Sequence, residues 1–498
     1  MSKVYLIGAG PGDEKLITLK GFEILKKADV IVYDRLANPS FLEYKKDDAK
    51  LYYVGKQSSN HYKTQDEIND IICECAKEGK IVARLKGGDP YVFGRGAEEA
   101  KYLLDRGIDF EVVPGITSAI GGLAYAGIPI THRDYSSSFH VFTGHFKDDD
   151  RALDYDSIVK LNGTLVFLMG MKNLSKITKN LIQAGKNKDT KVAIINWATR
   201  TFQKTVTGTL ETIEDVVIKN NMTSPSLIVV GDVVNLREEL NFFESKLLFN
   251  KNILVTRARK QASKLSAMIK EYGGNPIEIP AIKIEPITKD NKELEESINK
   301  LNEYSHIIFT SVNGVKIFMD YIFTIGKDIR CLSHMKFCVI GKATKKELEN
   351  YHINADIMPK NYVAEDVIEE VKKYIDSSSK ILMPRAKEAR TIIKDELEKL
   401  CQIDEIKIYK TIKDNVDKEN VKQLLKDKKI DYITFASSST VKNFVDLIDG
   451  EIDLINDSKI ISIGPITSDT IKNLELNLYK EADEYTIDGV FSTIIKDL

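Results

Sequence analysis

The sequence predicts an α/β protein built from several lobes, and three observations support this prediction. Short runs rich in Val and Ile alternate with amphipathic stretches of helical length from one end of the chain to the other. The chain has 498 residues, which at roughly 100 to 200 residues per domain gives about three or four domains. The second half of the chain also repeats its own pattern, which indicates two similar lobes there.

The first half begins with runs that predict the strands of a largely parallel sheet, because helix-length stretches separate them. These runs are VYLIGAG (4–10), DVIVYD (29–34), KIVARLKGG (80–88) and FEVVPG (110–115). From about residue 139 the runs FHVFTGH, TLVFLMG, KVAIINWAT and SLIVVGDVV predict a second α/β lobe. We therefore expect a first domain over 1–243, with lobes over about 1–135 and 136–243.

The second half contains three pairs of similar segments in the same order. KNILVTRARKQ recurs about 128 residues later as SKILMPRAKEA, which pairs Arg257 with Arg385. The other pairs are IIFTSVNGVKIF with ITFASSSTVKNF and FCVIGKATKKEL with IISIGPITSDTI. Two parallel-sheet α/β lobes with a cleft between them are expected. The predicted limits are 244–250 for a linker, 251–281 plus 413–498 for lobe one, and 282–412 for lobe two.

Composition and charge exclude several classes of protein. Hydrophobic residues make up 43% of the chain and charged residues 29%, which argues against a collagen-like or disordered protein. Lys and Arg total 72 against 74 Asp and Glu, and residues 1–250 contain 33 of each sign. Neither half therefore has the basic excess of a nucleic-acid binder. An acidic ligand would have to meet locally placed cations.

The N-terminus and the cysteines indicate the cellular compartment of the protein. MSKVYLIGAGPGD has only a short apolar run before Gly8, too short for the core of a signal peptide, and no later stretch approaches a membrane span. We expect a cytoplasmic protein without a membrane partner. The five Cys residues show no CxxC spacing, so neither a disulfide framework nor a zinc ribbon is predicted.

The loop GAGPGD at residues 8–13 follows a strand and invites comparison with a dinucleotide-binding loop. The Rossmann fingerprint needs a third glycine two residues further on, where a helix begins whose N-terminus binds pyrophosphate. Pro11 and Asp13 instead predict a turn, and the chain has no GxxxxGK[ST] motif. The sequence therefore argues against a dinucleotide or nucleoside triphosphate site here.

Two further segments make this loop part of a larger pattern. RLKGGDPYVFGRGAEE (84–99) places a Gly-Gly-Asp-Pro turn at a strand end, where the glycines let the backbone approach a ligand and Asp89 can accept hydrogen bonds. VPGITSAIGGLAYAGIPITHRD (113–134) adds small residues and hydroxyl groups. Together with YDRL, YVGK and FTGH, these segments resemble the tetrapyrrole methylase family, and uroporphyrinogen-III C-methyltransferases in particular, over residues 3 to about 242.

The resemblance implies the two-lobed fold of that family and a methyl transfer. S-adenosyl-L-methionine, released as S-adenosyl-L-homocysteine, would methylate C2 and C7 of uroporphyrinogen III to give precorrin-2, for siroheme or cobalamin. A pyrrole carbon attacks the sulfonium methyl, so the enzyme has to align the reactants and help a proton leave. The positions that match the family's cofactor contacts are Pro11, Gly87, Gly88, Asp89, Val92, Thr117, Ser118, Met169 and Ala198.

The same resemblance implies acid–base and substrate residues. Asp34 and Lys56 stand where the family has its proton acceptor and proton donor. For Asp34 the alternative is a helix cap or an ion pair, and for Lys56 it is simple anchoring of a carboxylate. Because the substrate is a polycarboxylate, cations in the motifs are candidate anchors, with a solvated surface role as the alternative for each. They are Arg35, Arg95, His132 and Arg133, with Arg84, Lys86 and His145 as further candidates.

The histidines of this region do not predict a metal site. His132, His140 and His145 are spread over a strand and loop without a carboxylate at ligand spacing. No segment is left over for the oxidation of precorrin-2 or for metal insertion. We expect no metal.

A second, independent set of motifs covers residues 251–498. ILVTRA, IIFTSVNGV, VIGKAT and IGPIT, arranged in duplicated lobes, resemble uroporphyrinogen-III synthase. That family closes linear hydroxymethylbilane with inversion of ring D, and its main task is to fold the chain and assist loss of water. Tyr409 stands where the family has a tyrosine that helps the hydroxyl depart. Candidate substrate-binding hydroxyls, for which helix capping is the alternative, are Thr310, Ser311, Ser437 and Thr467.

The favoured hypothesis is a bifunctional enzyme that converts hydroxymethylbilane to precorrin-2. In one alternative the second half is a non-catalytic tetrapyrrole-sensing module, against which Tyr409 and the hydroxyl motifs argue. In another the first half methylates RNA, against which the balanced charge argues. The family resemblance further implies a homodimer through the first half, with tetrapyrroles as ligands and no nucleic acid.

Overall fold

The computed structural model describes residues 3–46, 48–55, 64–144, 153–256, 259–279, 283–359, 364–388, 391–412 and 418–498. The chain forms two compact units. One comprises Met1–Lys251 with Ile269–Asn275, and the other comprises Asn252–Met268 with Pro276–Leu498. The described residues form four five-stranded sheets. The predicted linker at 244–250 and the predicted lobe limits stay predictions.

The first sheet of the first unit is parallel and has the order β3-β2-β4-β1-β5. Its strands are β1 (Lys3–Gly8), β2 (Val30–Tyr33), β3 (Lys50–Tyr53), β4 (Ile81–Lys86) and β5 (Phe110–Val113). β1, β2 and β4 lie inside the sheet and are largely buried. For this reason β1 and β2 read as nearly continuous apolar runs, whereas β4 also carries the buried charges of Arg84 and Lys86. The edge strand β3 is partly exposed and has no such run, so the sequence did not predict it.

The second sheet of this unit is mixed and has the order β6-β7-β10-β8-β9. Its strands are β6 (Phe139–Thr143), β7 (Thr164–Leu168), β8 (Lys191–Asn196), β9 (Lys204–Thr209) and β10 (Ser226–Val230). Only the β6–β7 pair is parallel, and the other three pairs are antiparallel. A short loop joins β8 directly to β9, which an antiparallel pair permits and a parallel pair does not.

Eight α-helices are described in this unit. They are α1 (Leu19–Lys27), α2 (Gln65–Lys77), α3 (Gly96–Leu104), α4 (Ser118–Tyr125), α5 (Tyr155–Ile158), α6 (Leu174–Gln183), α7 (Ile213–Lys219) and α8 (Arg237–Leu240). The hydroxyls of Thr18, Thr64 and Thr117 accept hydrogen bonds from the first turns of α1, α2 and α4. Such caps satisfy backbone N–H groups that have no partner inside the helix.

The remaining strands form two sheets in the orders β12-β11-β18-β19-β20 and β13-β17-β16-β14-β15. The strands are β11 (Asn252–Val255), β12 (Asn275–Glu278), β13 (Lys283–Pro286), β14 (His306–Phe309), β15 (Lys336–Val339), β16 (Lys380–Ala386), β17 (Gln402–Ile412), β18 (Tyr432–Phe435), β19 (Lys459–Ser462) and β20 (Leu478–Glu481). β13 pairs antiparallel with β17, and the pairs among β14–β17 and β18–β20 are parallel. One sheet thus combines strands from both ends of this half.

Ten further α-helices are described beside these sheets. They are α9 (Arg259–Glu271), α10 (Lys292–Asn299), α11 (Val312–Thr324), α12 (Lys342–Glu349), α13 (Ala364–Val371), α14 (Ile392–Leu397), α15 (Lys418–Lys426), α16 (Ser438–Leu447), α17 (Pro465–Asn473) and α18 (Ile487–Ile495). The paired motifs TSVNG and ASSST have equivalent positions in the fold. TSVNG connects the buried strand β14 to α11, and ASSST connects the buried strand β18 to α16. In the described part of the chain, no helix has the length and apolar character needed to cross a membrane.

Candidate active site

A cleft of about 370 Å³ lies in the first unit, at the carboxyl ends of β1, β2 and β4. The loops that leave parallel strands converge at this edge, which is where open α/β sheets place ligands. The opposite wall comes from the second sheet, where Met169 follows β7 and Trp197 follows β8. The cleft is thus enclosed by loops from both sheets.

All nine positions that match the family's cofactor contacts line this cleft, although they come from five separate segments of the chain. They are Pro11, Gly87, Gly88, Asp89, Val92, Thr117, Ser118, Met169 and Ala198. Asp34 and Arg95, predicted for proton transfer and substrate binding, line it as well. The fold therefore brings together residues that were selected one by one on sequence, while their individual roles stay predictions.

The glycine loops meet each other directly. Gly10 donates its N–H to the carbonyl of Gly88 at 3.2 Å, and Gly88 donates to the carbonyl of Gly10 at 2.7 Å. A Cβ atom added to Gly8 would lie 2.5 Å from the Cα of Gly115 and 2.8 Å from the carbonyl oxygen of Gly88. The glycines after β1, β4 and β5 are therefore required for close backbone approach. This contact accounts for the GAGPG pattern without a dinucleotide fold.

The carboxylate of Asp89 joins two of these loops. One oxygen accepts from the backbone N–H of Tyr91 at 2.8 Å, and the other accepts from the N–H of Gly115 at 2.9 Å. Asp89 thus ties the Gly-Gly-Asp-Pro turn to the loop after β5. Each carboxylate oxygen can accept a further hydrogen bond, so this structural role leaves capacity for a ligand.

The cleft wall contains several residues in an unusual backbone conformation. Phe93, Arg95, Met169 and Trp197 all have φ between 46° and 59°, and all four line the cleft. A side chain with a Cβ in this left-handed region costs about 1–3 kcal/mol and persists where the surrounding structure holds it. Such a concentration is typical of a functional site.

Four charged side chains form a buried network beside the cleft, here called the charge network: Asp34, Arg84, Lys86 and Glu99. One oxygen of Glu99 accepts from Lys86 Nζ at 2.8 Å and from Arg84 Nε at 3.3 Å. Arg84 Nη2 donates to Asp34 at 3.1 Å. Arg84, Lys86 and Glu99 are 4%, 5% and 1% exposed. Burial, together with the charge of Arg84, lowers the pKa of Lys86, and Glu99 partly offsets this effect.

Asp34 has structural contacts of the kind that the sequence left open as an alternative, and its role as proton acceptor stays a prediction. One carboxylate oxygen pairs with Arg84, and the other accepts from the backbone N–H of Leu36 at 3.0 Å in the turn after β2. The side chain is 26% exposed and lines the cleft. The ion pair foreseen as an alternative is therefore present, and it fixes a carboxylate that still faces the cleft.

The other predicted cations of the first unit are more dispersed. Arg95 lines the cleft, and its Nε donates to both carboxylate oxygens of Glu98 at 3.0 and 3.1 Å. Arg35 is exposed and does not line the cleft. Its guanidinium lies 5.3 Å from the ring centre of Trp197, and Trp197 does line the cleft. Lys56, predicted as the proton donor, lies outside the described residues.

His132 and Arg133 belong to a different part of the surface. His132 accepts from the backbone N–H of Asp134 at 3.2 Å and packs on Tyr135, with ring centres 5.1 Å apart. Arg133 lines a separate cavity of about 400 Å³. The structure does not bring either residue to the wall of the first cleft, and their predicted substrate contact stays untested. His145 lies outside the described residues.

Sequence reasoning missed several residues of the cleft wall. Gln65 at the start of α2 donates to Glu99 at 3.2 Å, and Trp197 and Arg200 enter from the segment after β8. Burial lowers the pKa of the Arg200 guanidinium. The sequence signal that could have indicated Trp197 and Arg200 is their position just after the predicted strand β8, where ligand-binding loops begin. Nothing local marked Gln65, whose role depends on how α2 packs against α3.

In the second unit, Tyr409 and Ser311 are in direct contact. The Tyr409 hydroxyl lies 2.8 Å from Ser311 Oγ, which also accepts from the N–H of Gly314 at 3.0 Å and so caps α11. Tyr409 is 5% exposed. Burial raises the pKa of Tyr409, while the hydrogen bond from Ser311 acts in the opposite direction. Ser311 is therefore a helix cap and a partner of the predicted catalytic tyrosine at once.

The other predicted hydroxyls have different surroundings. Ser437 caps α16 through a reciprocal capping box with Thr440 and lies 2.9 Å from Ser439 Oγ. Thr467 is only 4% exposed in the first turn of α17, and Thr310 is half-buried between β14 and α11. The capping alternative is thus observed for Ser437, and substrate contact stays a prediction for all four hydroxyls. Among the described residues, no cluster of three or more His, Cys, Asp or Glu side chains could hold a metal ion.

The fold and the cleft define a protein with a methylase-like α/β half followed by a second half of two further α/β sheets. Residues 3–214 match the family described as Tetrapyrrole (Corrin/Porphyrin) Methylases, and residues 263–492 match the family described as Uroporphyrinogen-III synthase HemD. "Porphyrin biosynthesis protein HemD" of Ruminiclostridium josui is 37% identical over 99% of this chain and 97% of its own length. The chain therefore belongs to the family in which a tetrapyrrole methylase is fused to uroporphyrinogen-III synthase.

Other relatives match part of the chain. "Uroporphyrinogen-III C-methyltransferase" of Bacillus subtilis (strain 168) is 42% identical over 348 residues, covering 70% of this chain and 71% of that protein. Among solved structures, uroporphyrin-III C-methyl transferase from Thermus thermophilus, complexed with S-adenyl homocysteine, is 36% identical. It covers 47% of this chain and 99% of that chain, with a TM-score of 0.41.

Proposed function

We propose that this chain carries out two consecutive reactions. The second half cyclises hydroxymethylbilane to uroporphyrinogen III with inversion of ring D. The first half then methylates C2 and C7 of that product with S-adenosyl-L-methionine, which gives precorrin-2. The observation that carries the proposal is the convergence of all nine family cofactor positions on one cleft that also contains Asp34.

The residues present fit the proposed cofactor. Gly88 has a φ of +71°, a left-handed conformation that favours glycine, and a Cβ there would make only ordinary contacts with Ser118 N and Thr117 Cα, 3.8 and 3.9 Å away. The backbone of Gly87 and the Thr117 hydroxyl offer polar contacts, while Met169 offers soft apolar packing. When bound, the cofactor supplies an electrophilic methyl group on a sulfonium.

The chain's own groups would then manage protons and charge. Asp34 is held by Arg84 and by the turn after β2, which leaves a fixed carboxylate to accept the proton lost after methylation. Arg95 is paired with Glu98 through Nε and Nη2, and its remaining guanidinium nitrogen would donate to a substrate carboxylate. Lys56 remains the proposed proton donor on the strength of the family resemblance.

In the second half, Tyr409 is the group proposed to assist loss of the substrate hydroxyl. Ser311 has one hydroxyl proton, and its oxygen already accepts from Gly314. If Ser311 donates to Tyr409, the phenolic proton is free to point at a leaving hydroxyl. The contact at 2.8 Å therefore suits a tyrosine that acts as a hydrogen-bond donor to substrate.

Each half has its own test. Incubation of the protein with uroporphyrinogen III and S-adenosyl-L-methionine should yield the dimethylated product. Methylation of RNA with none of uroporphyrinogen III would contradict the assignment of the first half. Incubation with hydroxymethylbilane without cofactor should yield the type III isomer. If only the spontaneous type I isomer forms, the synthase assignment fails and the second half is a tetrapyrrole-sensing module.

A further inference from the structure

The two cations of the charge network differ in how many of their donors are already used. Arg84 donates to Glu99, to Asp34 and to the carbonyl of Leu85 at 3.1 Å, so its guanidinium is tied on several sides. Lys86 donates to Glu99 alone among the described residues. An ammonium group has three donors. Lys86 therefore has two hydrogens left, and the residue belongs to the cleft wall.

Leaving such donors unsatisfied in a buried place is costly. Lys86 is 5% exposed, so water does not reach it as it reaches a surface lysine. A buried ammonium needs anionic partners, because removing the charge from water costs several kcal/mol. Its single carboxylate partner is shared with Arg84 and Gln65. The geometry is that of a cation prepared for a second anion from the cleft.

We propose that Lys86 binds a carboxylate of a ligand in the cleft and that Glu99 is the positioning residue that holds Lys86 there. The proposal rests on the proposed methyltransferase function, which supplies two sources of this chemistry. One is an acetate or propionate side chain of the tetrapyrrole, and the other is the amino-acid carboxylate of the cofactor. In both cases the carboxylate of the ligand accepts hydrogen bonds from the Lys86 hydrogens that Glu99 does not use.

The charges that face Lys86 define how Glu99 acts. They are Arg84 from the same strand, Glu99 from α3 and Asp34 from the loop after β2, with neutral Gln65 from α2. Without the charge of Glu99, burial and Arg84 would oppose protonation of Lys86 more strongly. Glu99→Gln suits this test because the side-chain carbonyl of Gln can still accept the hydrogen bonds from Lys86, Arg84 and Gln65. Its amide nitrogen would replace an oxygen to which no described residue donates.

The first experiment compares Lys86→Met with the exposed control Lys101→Met on α3. Binding is measured without turnover, by calorimetry with S-adenosyl-L-homocysteine and by fluorescence with uroporphyrin III, the oxidised analogue of the substrate. Loss of a charge-assisted hydrogen bond should weaken binding of one ligand by about 10- to 100-fold in Lys86→Met. Weakened uroporphyrin binding identifies the tetrapyrrole carboxylate, and weakened homocysteine binding identifies the cofactor carboxylate. If both variants bind both ligands like the wild type, the proposal is wrong.

The second experiment separates positioning from a merely structural role. The ligand to be followed is the one whose binding Lys86→Met weakens. As the pH is raised, Glu99→Gln should lose affinity for this ligand at a lower pH than the wild type, because Lys86 loses its proton at a lower pH. Lys86→Arg should keep this affinity to high pH, since an arginine stays charged. A pH profile of Glu99→Gln that coincides with that of the wild type would refute the role of Glu99. These binding results do not depend on methylation, so a wild type that fails to methylate uroporphyrinogen III would count against the proposed function alone.

Discussion

At the scale of single residues, Asp34 shows how one side chain can be both structural and available for chemistry. Its two oxygens are held by a guanidinium and by a backbone N–H, yet the group lines the cleft. Because an ion pair and a backbone hydrogen bond already fix this side chain, it loses little further conformational entropy when the reaction begins. Pre-organisation of this kind favours proton transfer at a defined place.

We expect Asp34→Ala to reduce methyl transfer by about 100-fold or more while binding of S-adenosyl-L-homocysteine changes little, because general-base assistance contributes about 10²- to 10⁴-fold. Steady-state rates and calorimetry measure the two effects. Loss of cofactor binding in a folded variant would place Asp34 in the cofactor site instead.

Tyr409 carries the corresponding prediction for the second half. Tyr409→Phe keeps the ring that packs in the core around β14 and β17 and removes only the hydroxyl. The rate of formation of the type III isomer should fall at least about tenfold with a small change in stability. An unchanged rate would mean that departure of the substrate hydroxyl does not depend on this tyrosine.

At the scale of elements, the paired helix starts at Ser311 and Ser437 form a natural comparison. Both serines cap a helix that follows a buried strand, but only Ser311 has a hydrogen bond to Tyr409 in the described structure. Capping and activity can therefore be separated by changing the same residue type at two places.

We predict that Ser311→Ala and Ser437→Ala each lower the free energy of unfolding by about 1 kcal/mol, the usual value of a serine cap. Denaturant unfolding measures this effect. Of the two, Ser311→Ala should reduce the synthase rate more, because it also releases Tyr409. Equal losses of activity in the two variants would argue that the hydrogen bond between Ser311 and Tyr409 has no function.

A second element-scale feature is the carboxylate of Asp497 beside β18–β20. It accepts from Lys459, Lys480 and Tyr479 at 2.6 Å and from Tyr432 at 2.8 Å. Burial alone would raise the pKa of Asp497, but these hydrogen bonds hold it well below the usual carboxyl range. A carboxyl of this kind stabilises the fold above its unfolded pKa of about 4 and loses that effect as the pH falls further.

Asp497→Asn should therefore lower the urea midpoint of the full-length protein at about pH 7, by the equivalent of about 1–3 kcal/mol. The difference from the wild type should shrink as the pH falls below about 4. A difference that is independent of pH would show that the charge of Asp497 is not what stabilises these strands.

The elements also show what the sequence could and could not predict. Buried strands such as β1 and β2 have nearly continuous apolar runs, whereas the partly exposed strands β3 and β9 have no comparable signal. The cofactor positions were found through motif resemblance, which follows sequence order. Arg35 and Arg133 are cations inside the resembling motifs, and the fold places neither in the wall of the first cleft. Gln65 and Trp197 were missed because their positions depend on contacts between distant segments.

At the scale of the whole molecule, the near balance of charge gains a physical explanation. The chain has a net charge of −2, although the proposed ligands are polycarboxylates. In the first unit, Arg84, Lys86 and Arg95 line one cleft, so the cations needed for an anionic ligand are gathered locally. Overall charge therefore gives little information about a ligand whose recognition depends on a few buried groups.

The central claim is that one chain converts hydroxymethylbilane to precorrin-2. Mass spectrometry of the products formed from hydroxymethylbilane, with and without S-adenosyl-L-methionine, tests it most directly. We expect unmethylated uroporphyrinogen III without the cofactor and the dimethylated product with it. Formation of the type I isomer alone, or absence of methylated product when the cofactor is supplied, would contradict the account.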